Sequence, residues 1–137
     1  MNFNDISTLN ASIVVAIGAL PIKVDNFDPE SDIFNVNDRQ TADAELTPDG
    51  YVNGFCMRSI IETSFTLSGA SKAAEILQGI LNSQANGALN EATIIVTNNG
   101  KISTYGPGVL TSAKPAMHLG NQKVQPITFN FKFGNVF

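Results

Sequence analysis

The sequence predicts a mainly β protein, a β-sandwich or barrel of about seven strands with one α-helix packed against it. Three observations predict this class. Apolar and polar residues alternate in several stretches, most clearly in 55–67 and 124–133. One stretch, 68–81, has apolar residues at helical spacing, and glycine-containing turns separate the β-like stretches. The 137 residues suit one domain with a hydrophobic core.

The first strands follow a polar N-terminus. Residues 1–10 hold one acid and no base, so we expect a flexible N-terminal arm and no secretory signal. The run Ile13-Val14-Val15-Ala16-Ile17 predicts a strand within residues 11–18 that is buried on both faces or covered by a neighbouring element. Residues 20–24 continue extended, and Pro21 favours a sheet edge because proline has no N–H to donate.

The segment 25–50 is acidic and poor in apolar residues. It holds eight of the twelve acids and one base, Arg39. Residues 33–36 predict a short strand and Pro48-Asp49-Gly50 a turn, while the rest is interpreted as a long loop. Loops of this length inside a domain are usually functional. Oxygen ligands for calcium are available in this segment from Asp25, Asp28, Glu30 and Asp32, but they do not follow the order of ligands in an EF-hand loop. The alternative is an acidic loop exposed to solvent.

Residues 55–81 predict one long strand followed by the helix. Phe55, Met57, Ile61, Phe65 and Leu67 fall on one face of the strand. The helix then carries a single apolar stripe that comprises Ala73, Ile76, Leu77, Ile80 and Leu81. Ser68 or Ser71 can be its N-cap. Gly79 weakens the helix, and residues 82–87 end it. We expect this helix to cover an open face or edge of the sheet.

The remaining chain predicts a hairpin and two further strands. Residues 92–98 and 101–105 flank the turn Asn98-Asn99-Gly100, which favours a hairpin. A break at 106–108 precedes a strand over 109–119 that is irregular around Pro115. The last strand, 124–133, places four apolar residues on one face: Ile127, Phe129, Phe131 and Phe133.

Residues with catalytic potential are few. His118 is the single histidine and is interpreted as structural or exposed; Cys56 is the single cysteine and is expected to be a buried, inert thiol. There is no Gly-x-Ser-x-Gly sequence and no glycine-rich phosphate loop. Glu62 is expected to pair with Arg58 rather than act as an acid. We therefore predict no enzyme, no cofactor and no metal cluster.

The composition limits the kinds of partner that the protein can bind. The net charge of −4 argues against binding nucleic acid through its phosphates. No apolar run is long enough to span a bilayer. Charged residues make up 15%, below the usual ~25%, and weakly charged surfaces are typical of protein–protein contacts.

The order of these features resembles the small tail-tube proteins of contractile-tailed bacteriophages. The resemblance spans about residues 13–133, and it depends on order and spacing rather than on any single motif. The segments that carry it are Leu20-Pro21-Ile22, 26–36, 42–50, the 55–67 strand with its helix, 97–101, 105–111 and 128–133.

This resemblance implies a virion structural protein. Six subunits would form a ring, and stacked rings would form the inner tail tube, with DNA and the tape measure protein passing through without specific binding. Its partners would be other copies of the chain and the sheath, baseplate and tail-terminator proteins. No membrane would be involved, and the virion tail would be assembled in the host cytoplasm. Segment 25–50 would join subunits or rings through Asp28, Glu30, Asp32, Phe34, Asp43 and Glu45; the channel-lining candidates are Arg58, Glu62, Ser64, Thr128, Asn130 and Lys132.

Three alternatives stay open. The chain is equally compatible with a tube-initiator ring at the baseplate, or with the inner tube of an injection device or type VI secretion system. A different class is a monomeric β-sandwich module that binds a sugar or calcium. For the two strand faces that contain the channel-lining candidates, ordinary exposure to solvent is the alternative to forming a channel wall.

Overall fold

The computed structural model describes residues 3–4 and 6–137. In chain order its elements are β1 (Ser12–Ile17), β2 (Leu20–Val24), β3 (Asn35–Val36), β4 (Ala42–Leu46), β5 (Val52–Cys56), β6 (Ile61–Leu67), α1 (Lys72–Ala85), β7 (Ala92–Asn98), β8 (Lys101–Ser112) and β9 (Ile127–Phe133). The predicted class, mainly β with one helix, is confirmed.

Seven strands form one antiparallel sheet in the order β2-β1-β7-β8-β9-β6-β3, and β4 and β5 form a separate two-stranded sheet. Strand β8 joins the two halves of the large sheet because it pairs first with β7 and then, from Gly108 onward, with β9. A Cβ at Gly108 would collide with the Lys132 carbonyl and the Phe133 ring, which explains the glycine at this change of partner. The end strands of the large sheet, β2 and β3, do not pair with each other, so the architecture is sandwich-like rather than a closed barrel.

The hydrophobic core lies on the inner faces of this sheet. On β9 all four residues of the predicted apolar face are buried, and on β6 the buried apolar residues are Ile61, Phe65 and Leu67. Phe65 lies opposite Phe129 in the antiparallel register, and its ring centroid is 5.6 Å from that of Phe131. Strand β1 contributes Ile13, Val15 and Ile17. The two-residue period of β6 and β9 therefore predicted their buried faces correctly. The continuous apolar run of β1 did not show that its outer face is only half-buried.

The helix covers the part of the β8 edge that β7 leaves unpaired. Its N-cap is Ser71, and Ala73, Ala74 and Leu77 are buried against the core. On the same side three amide side chains donate to backbone carbonyls of β8 and the chain after it: Gln84 to Leu110 (2.9 Å), Gln78 to Lys114 (3.1 Å) and Asn82 to Pro115 (3.1 Å). The expectation that the helix covers a sheet edge is confirmed. The helix extends to Ala85, beyond the predicted end of the apolar stripe, and Ile76 is exposed.

The long strand predicted for residues 55–67 is wrong. The chain leaves β5 at Cys56 and begins β6 at Ile61, and the two strands belong to different sheets. Phe55 and Met57 keep the alternation but are 49% and 39% exposed, because β5 lies outside the core. The sequence pattern could not show this change of surface, since both surfaces use apolar residues.

Three other predictions differ from the structure. Residues 42–46, predicted as loop, form β4, and the turn predicted at 48–50 connects β4 to β5 with Gly50 at φ 92°. The break predicted at 106–108 does not end a strand, and β8 stops at Ser112 instead of continuing to residue 119. Of the predicted N-terminal arm, residues 1, 2 and 5 lie outside the described part; the Ser7 carbonyl accepts a hydrogen bond from the Asn98 amide.

Candidate assembly surfaces

The polar face is the outward face of β6 and β9, comprising Glu62, Ser64, Thr66, Thr128, Asn130 and Lys132. Antiparallel pairing sets these residues directly opposite each other as Glu62–Lys132, Ser64–Asn130 and Thr66–Thr128. The Thr66 and Thr128 hydroxyls are 2.8 Å apart, and Lys132 Nζ lies 3.7 Å from Glu62 Oε1. Five of the six channel-lining candidates from the sequence thus share one continuous surface.

Arg58, the sixth candidate, is not part of this surface. It is exposed in the link between β5 and β6. The predicted Glu62–Arg58 ion pair is therefore wrong, because the cross-strand neighbour of Glu62 is Lys132. The two charges of the polar face offset each other, and the other four residues carry hydroxyl or amide groups.

Flanking strands extend the polar face with further uncharged groups. Asn37, directly after β3, donates to Glu62 Oε2 at 3.1 Å, and Asn130 donates to the Ser112 hydroxyl of β8 at 3.1 Å. Together they border an open groove of about 380 Å³. Sequence reasoning missed Asn37 and Ser112, since neither lies in a segment whose register was predictable.

The acidic segment divides into two places. Asp28 lies at the end of β6, where its backbone N–H donates to the Thr66 carbonyl and its carboxylate accepts from the Ser31 hydroxyl at 2.7 Å. Phe34 packs against Tyr105 with ring centroids 5.4 Å apart. Asp43 and Glu45 lie elsewhere, on β4. The structure therefore does not bring together the six residues assigned to one inter-subunit loop; Glu30 and Asp32 are exposed next to Asp28.

Partial burial has one electrostatic consequence here. Desolvation raises the pKa of the Tyr105 phenol above its ordinary value. The Tyr105 ring contacts the rings of Phe34 and Phe133 in tilted arrangements.

The β4–β5 hairpin carries the second candidate surface. Every residue of both strands is exposed. The cross-strand pairs Ala42–Cys56, Ala44–Gly54 and Leu46–Val52 form one face, which is apolar throughout, while Asp43, Glu45, Asn53 and Phe55 form the other. Leu46 and Val52 are 72% and 68% exposed. An apolar face without a covering element is a typical site of protein–protein contact.

The chemically reactive residues singled out in the sequence are not gathered at either surface. In the described residues no three histidine, cysteine, aspartate or glutamate side chains, Asp25, Asp28, Glu30 and Asp32 included, lie close enough together to hold a metal ion. The expectation that Cys56 is buried is wrong, because its strand lies outside the core. His118 is exposed. Across residues 3–4 and 6–137 no helix is both long and apolar enough to span a membrane.

Comparison with solved structures identifies the fold. A chain of the anti-feeding prophage baseplate, solved by cryo-EM with six-fold symmetry, aligns with a TM-score of 0.60 at 9% identity over 100% of this chain and 96% of that chain. A chain of the anti-feeding prophage cap, a tube terminating cap, aligns with a TM-score of 0.54 at 13% identity over 100% and 92%. The fold is thus shared with components of a phage-tail-like particle.

The chain belongs to the tail fiber protein gp32 family, whose model matches residues 4–137. It is therefore a structural protein of the phage-tail class. A search of curated proteins found no match.

Proposed function

We propose that this protein is a ring-forming subunit of the inner tube of a contractile phage tail. Rings of it, six subunits each, stack into a channel through which the tape measure protein and DNA pass during genome ejection. The sheath surrounds this tube, and baseplate and tail-terminator proteins bind its ends. The protein acts without enzymatic activity and without a cofactor.

The observation that carries this proposal is the polar face. A channel for DNA needs a wall that does not hold phosphate, and the six residues of the polar face carry one lysine offset by one glutamate. Net positive charge would bind DNA by releasing counterions, whereas hydroxyl and amide groups leave the duplex hydrated and mobile. We assign this face, with Asn37 and Ser112 at its border, to the channel wall.

The family description names a tail fiber, so the tube role needs its own support. That support comes from the shared fold with a six-fold baseplate chain and a tube terminating cap. Further support is that the hairpin is exposed and free to contact a neighbouring copy. We assign the hairpin, together with the exposed acids Glu30, Asp32, Asp43 and Glu45, to contacts between subunits or rings. The unpaired edges of β2 and β3 favour assembly as well, because neighbouring subunits can cover them.

A second candidate is a ring at one end of the tube. Two similar structures come from a baseplate and from a terminating cap, and this is the observation that supports a ring at a tube end. Negative-stain electron microscopy of the purified protein separates the two roles. Stacked tubes of variable length support the tube subunit, single rings support the end ring, and a 14.6 kDa species at every concentration contradicts both.

Maleimide labelling tests the channel wall. In a Cys56→Ser background, Thr128→Cys places one thiol on the polar face. In assembled particles we expect this thiol to react with a small maleimide but not with a bulky polymer-linked one, since only the small reagent diffuses into the channel. The same variant before assembly is the control and should react with both. Reaction with both reagents in tubes would place the polar face outside, and reaction with neither would place it in a subunit contact.

A further inference from the structure

Asparagine precedes glycine at three places in the chain: Asn53-Gly54, Asn86-Gly87 and Asn99-Gly100. At such a pair the glycine nitrogen can attack the asparagine side-chain amide, since glycine has no Cβ to obstruct the approach. The attack needs a backbone N–H that is not held in a hydrogen bond and a chain that can rotate into the reactive conformation. The three pairs differ in both respects.

Two of the pairs are held in place by the fold. The Gly87 N–H donates to the Gln84 carbonyl at 3.0 Å, where α1 ends. Asn99-Gly100 forms the turn between β7 and β8 with both residues at positive φ, and the Asn99 side-chain amide donates to the Ser7 carbonyl at 3.5 Å. The first pair therefore has no free attacking N–H, and the second has a side chain that is held away from it.

The register of the hairpin decides where the Gly54 N–H points. At the turn end of the hairpin the Thr47 N–H donates to the Tyr51 carbonyl at 2.8 Å, so this pair is hydrogen-bonded. In an antiparallel ladder hydrogen-bonded and non-hydrogen-bonded pairs alternate. Gly54 is paired with Ala44, three positions along, so its pair is non-hydrogen-bonded. The Gly54 N–H therefore points away from β4, toward the side of β5 on which the described residues place no strand.

Two further hydrogen bonds agree with this register. The Ala44 N–H does not donate across the hairpin but to the Asp43 carboxylate, at 2.8 Å. At the other end of the hairpin, three positions beyond Gly54, the Met57 N–H donates to the Thr41 carbonyl at 2.8 Å, as the alternation requires.

The hairpin is also held loosely. Every residue of β4 and β5 is exposed, and the two strands pair only with each other. A two-stranded hairpin without a covering layer is marginally stable in water, so it opens more readily than a strand or helix packed on the core. Rotation of the backbone at Asn53 breaks hydrogen bonds to β4 and disturbs no buried side chain.

We propose that Asn53 is a modification site, at which the folded protein deamidates spontaneously. The Gly54 nitrogen loses its proton and bonds to Asn53 Cγ, and the amide nitrogen leaves as ammonia, so that a cyclic succinimide forms. Water then opens the succinimide at either carbonyl, which gives aspartate or isoaspartate. The step needs no reactant besides water, and it does not depend on the proposed tube.

The modification changes the hairpin itself. Asn53 lies directly opposite Glu45, on the face that also carries Asp43. A carboxylate at position 53 places like charges opposite each other, which destabilises a strand pair. Isoaspartate also lengthens the backbone by a carbon atom, so the side chains that follow it no longer match the register of β4. Deamidation therefore loosens the hairpin irreversibly.

Peptide mass spectrometry of the incubated full chain tests this site. Cleavage after lysine and arginine releases residues 40–58 with the Asn53 pair and residues 73–101 with the other two pairs, so one digest reports all three. After incubation at mildly alkaline pH, under conditions where light scattering gives the monomer mass, we expect about tenfold more conversion at Asn53 than at Asn86 or Asn99. In unfolding concentrations of urea the three should convert at similar rates, because each precedes glycine.

Gly54→Ala is the matched variant. Its Cβ would meet only the Asp43 carbonyl, at an ordinary contact distance of 3.9 Å, so we expect the fold to be kept. The added methyl group obstructs the attack, and conversion at Asn53 should fall about tenfold while conversion at Asn86 stays the same. Conversion at Asn86 or Asn99 that equals or exceeds conversion at Asn53 in the folded protein overturns the inference, and so does a Gly54→Ala variant that deamidates as fast as the wild type.

Discussion

The N-cap of α1 offers a sharp test of the structure. The Ser71 hydroxyl accepts from the Ala74 N–H at 3.4 Å and donates to the Asp25 carbonyl at 3.2 Å, and the side chain is buried. It therefore caps the helix and joins it to the chain that follows β2. We predict that Ser71→Ala loses both interactions.

The expected loss of stability follows from these two bonds. Removing a serine N-cap costs about 1 kcal/mol. Leaving the Asp25 carbonyl without its donor, in a bond that is partly buried, costs about 0.5–1.5 kcal/mol more. The two costs together come to about 1.5–2.5 kcal/mol. Because both hydrogen bonds are long, we expect Ser71→Ala to lower the free energy of unfolding by about 1.5–2 kcal/mol.

Urea unfolding followed by far-UV circular dichroism measures this value, under conditions where light scattering gives the monomer mass. We expect a lower midpoint with an unchanged slope, since the surface exposed on unfolding is the same. Ser68→Ala is the matched control: Ser68 is the other cap candidate in the sequence, but its hydroxyl only accepts from the exposed Ala70 N–H at 3.4 Å. A Ser71→Ala change below about 0.5 kcal/mol, or a larger effect of Ser68→Ala, would refute the assigned cap.

Three further changes test the core and the helix. Gly79→Ala should stabilise the monomer by about 0.5–1 kcal/mol in urea unfolding, since the added methyl meets no atom within 4 Å and alanine favours the helix; a loss of stability would contradict the exposed position. Gly108→Ala should destabilise by more than about 2 kcal/mol, because its Cβ would strike backbone at the change of strand partner, and a neutral result would mean that β8 and β9 are less closely packed. Above pH ~10 wild-type stability should fall, since the unfolded Tyr105 phenol ionises before the folded one, whose pKa is raised by partial burial. Tyr105→Phe should remove part of this fall, and an unchanged pH profile would contradict the partly buried phenol.

The assembly surfaces were predictable only in part. Five of the channel-lining candidates follow from the sequence, because alternation along β6 and β9 separates core residues from outward polar ones. Arg58 was misplaced, since the predicted strand continues through residues 57–60. The outward side chains of β1 and β7 were not predicted: Val14 and Ile95 lie in continuous apolar runs, where the pattern does not distinguish the outward from the inward side chain.

Elements with one buried face were predictable from the sequence alone. The alternation of β9 and of β6 and the helical stripe around Leu77 follow from burying apolar side chains at a fixed period. The edge position of Pro21 follows from its missing N–H. Strand pairing, in contrast, depends on the folded chain. Strand β4 also alternates, with Ala42, Ala44 and Leu46 on one face, but it has no buried face and is defined by its hydrogen bonds to β5. The partner of Glu62 and the composition of the polar face likewise depend on strand register, which is fixed by contacts between residues far apart in the chain.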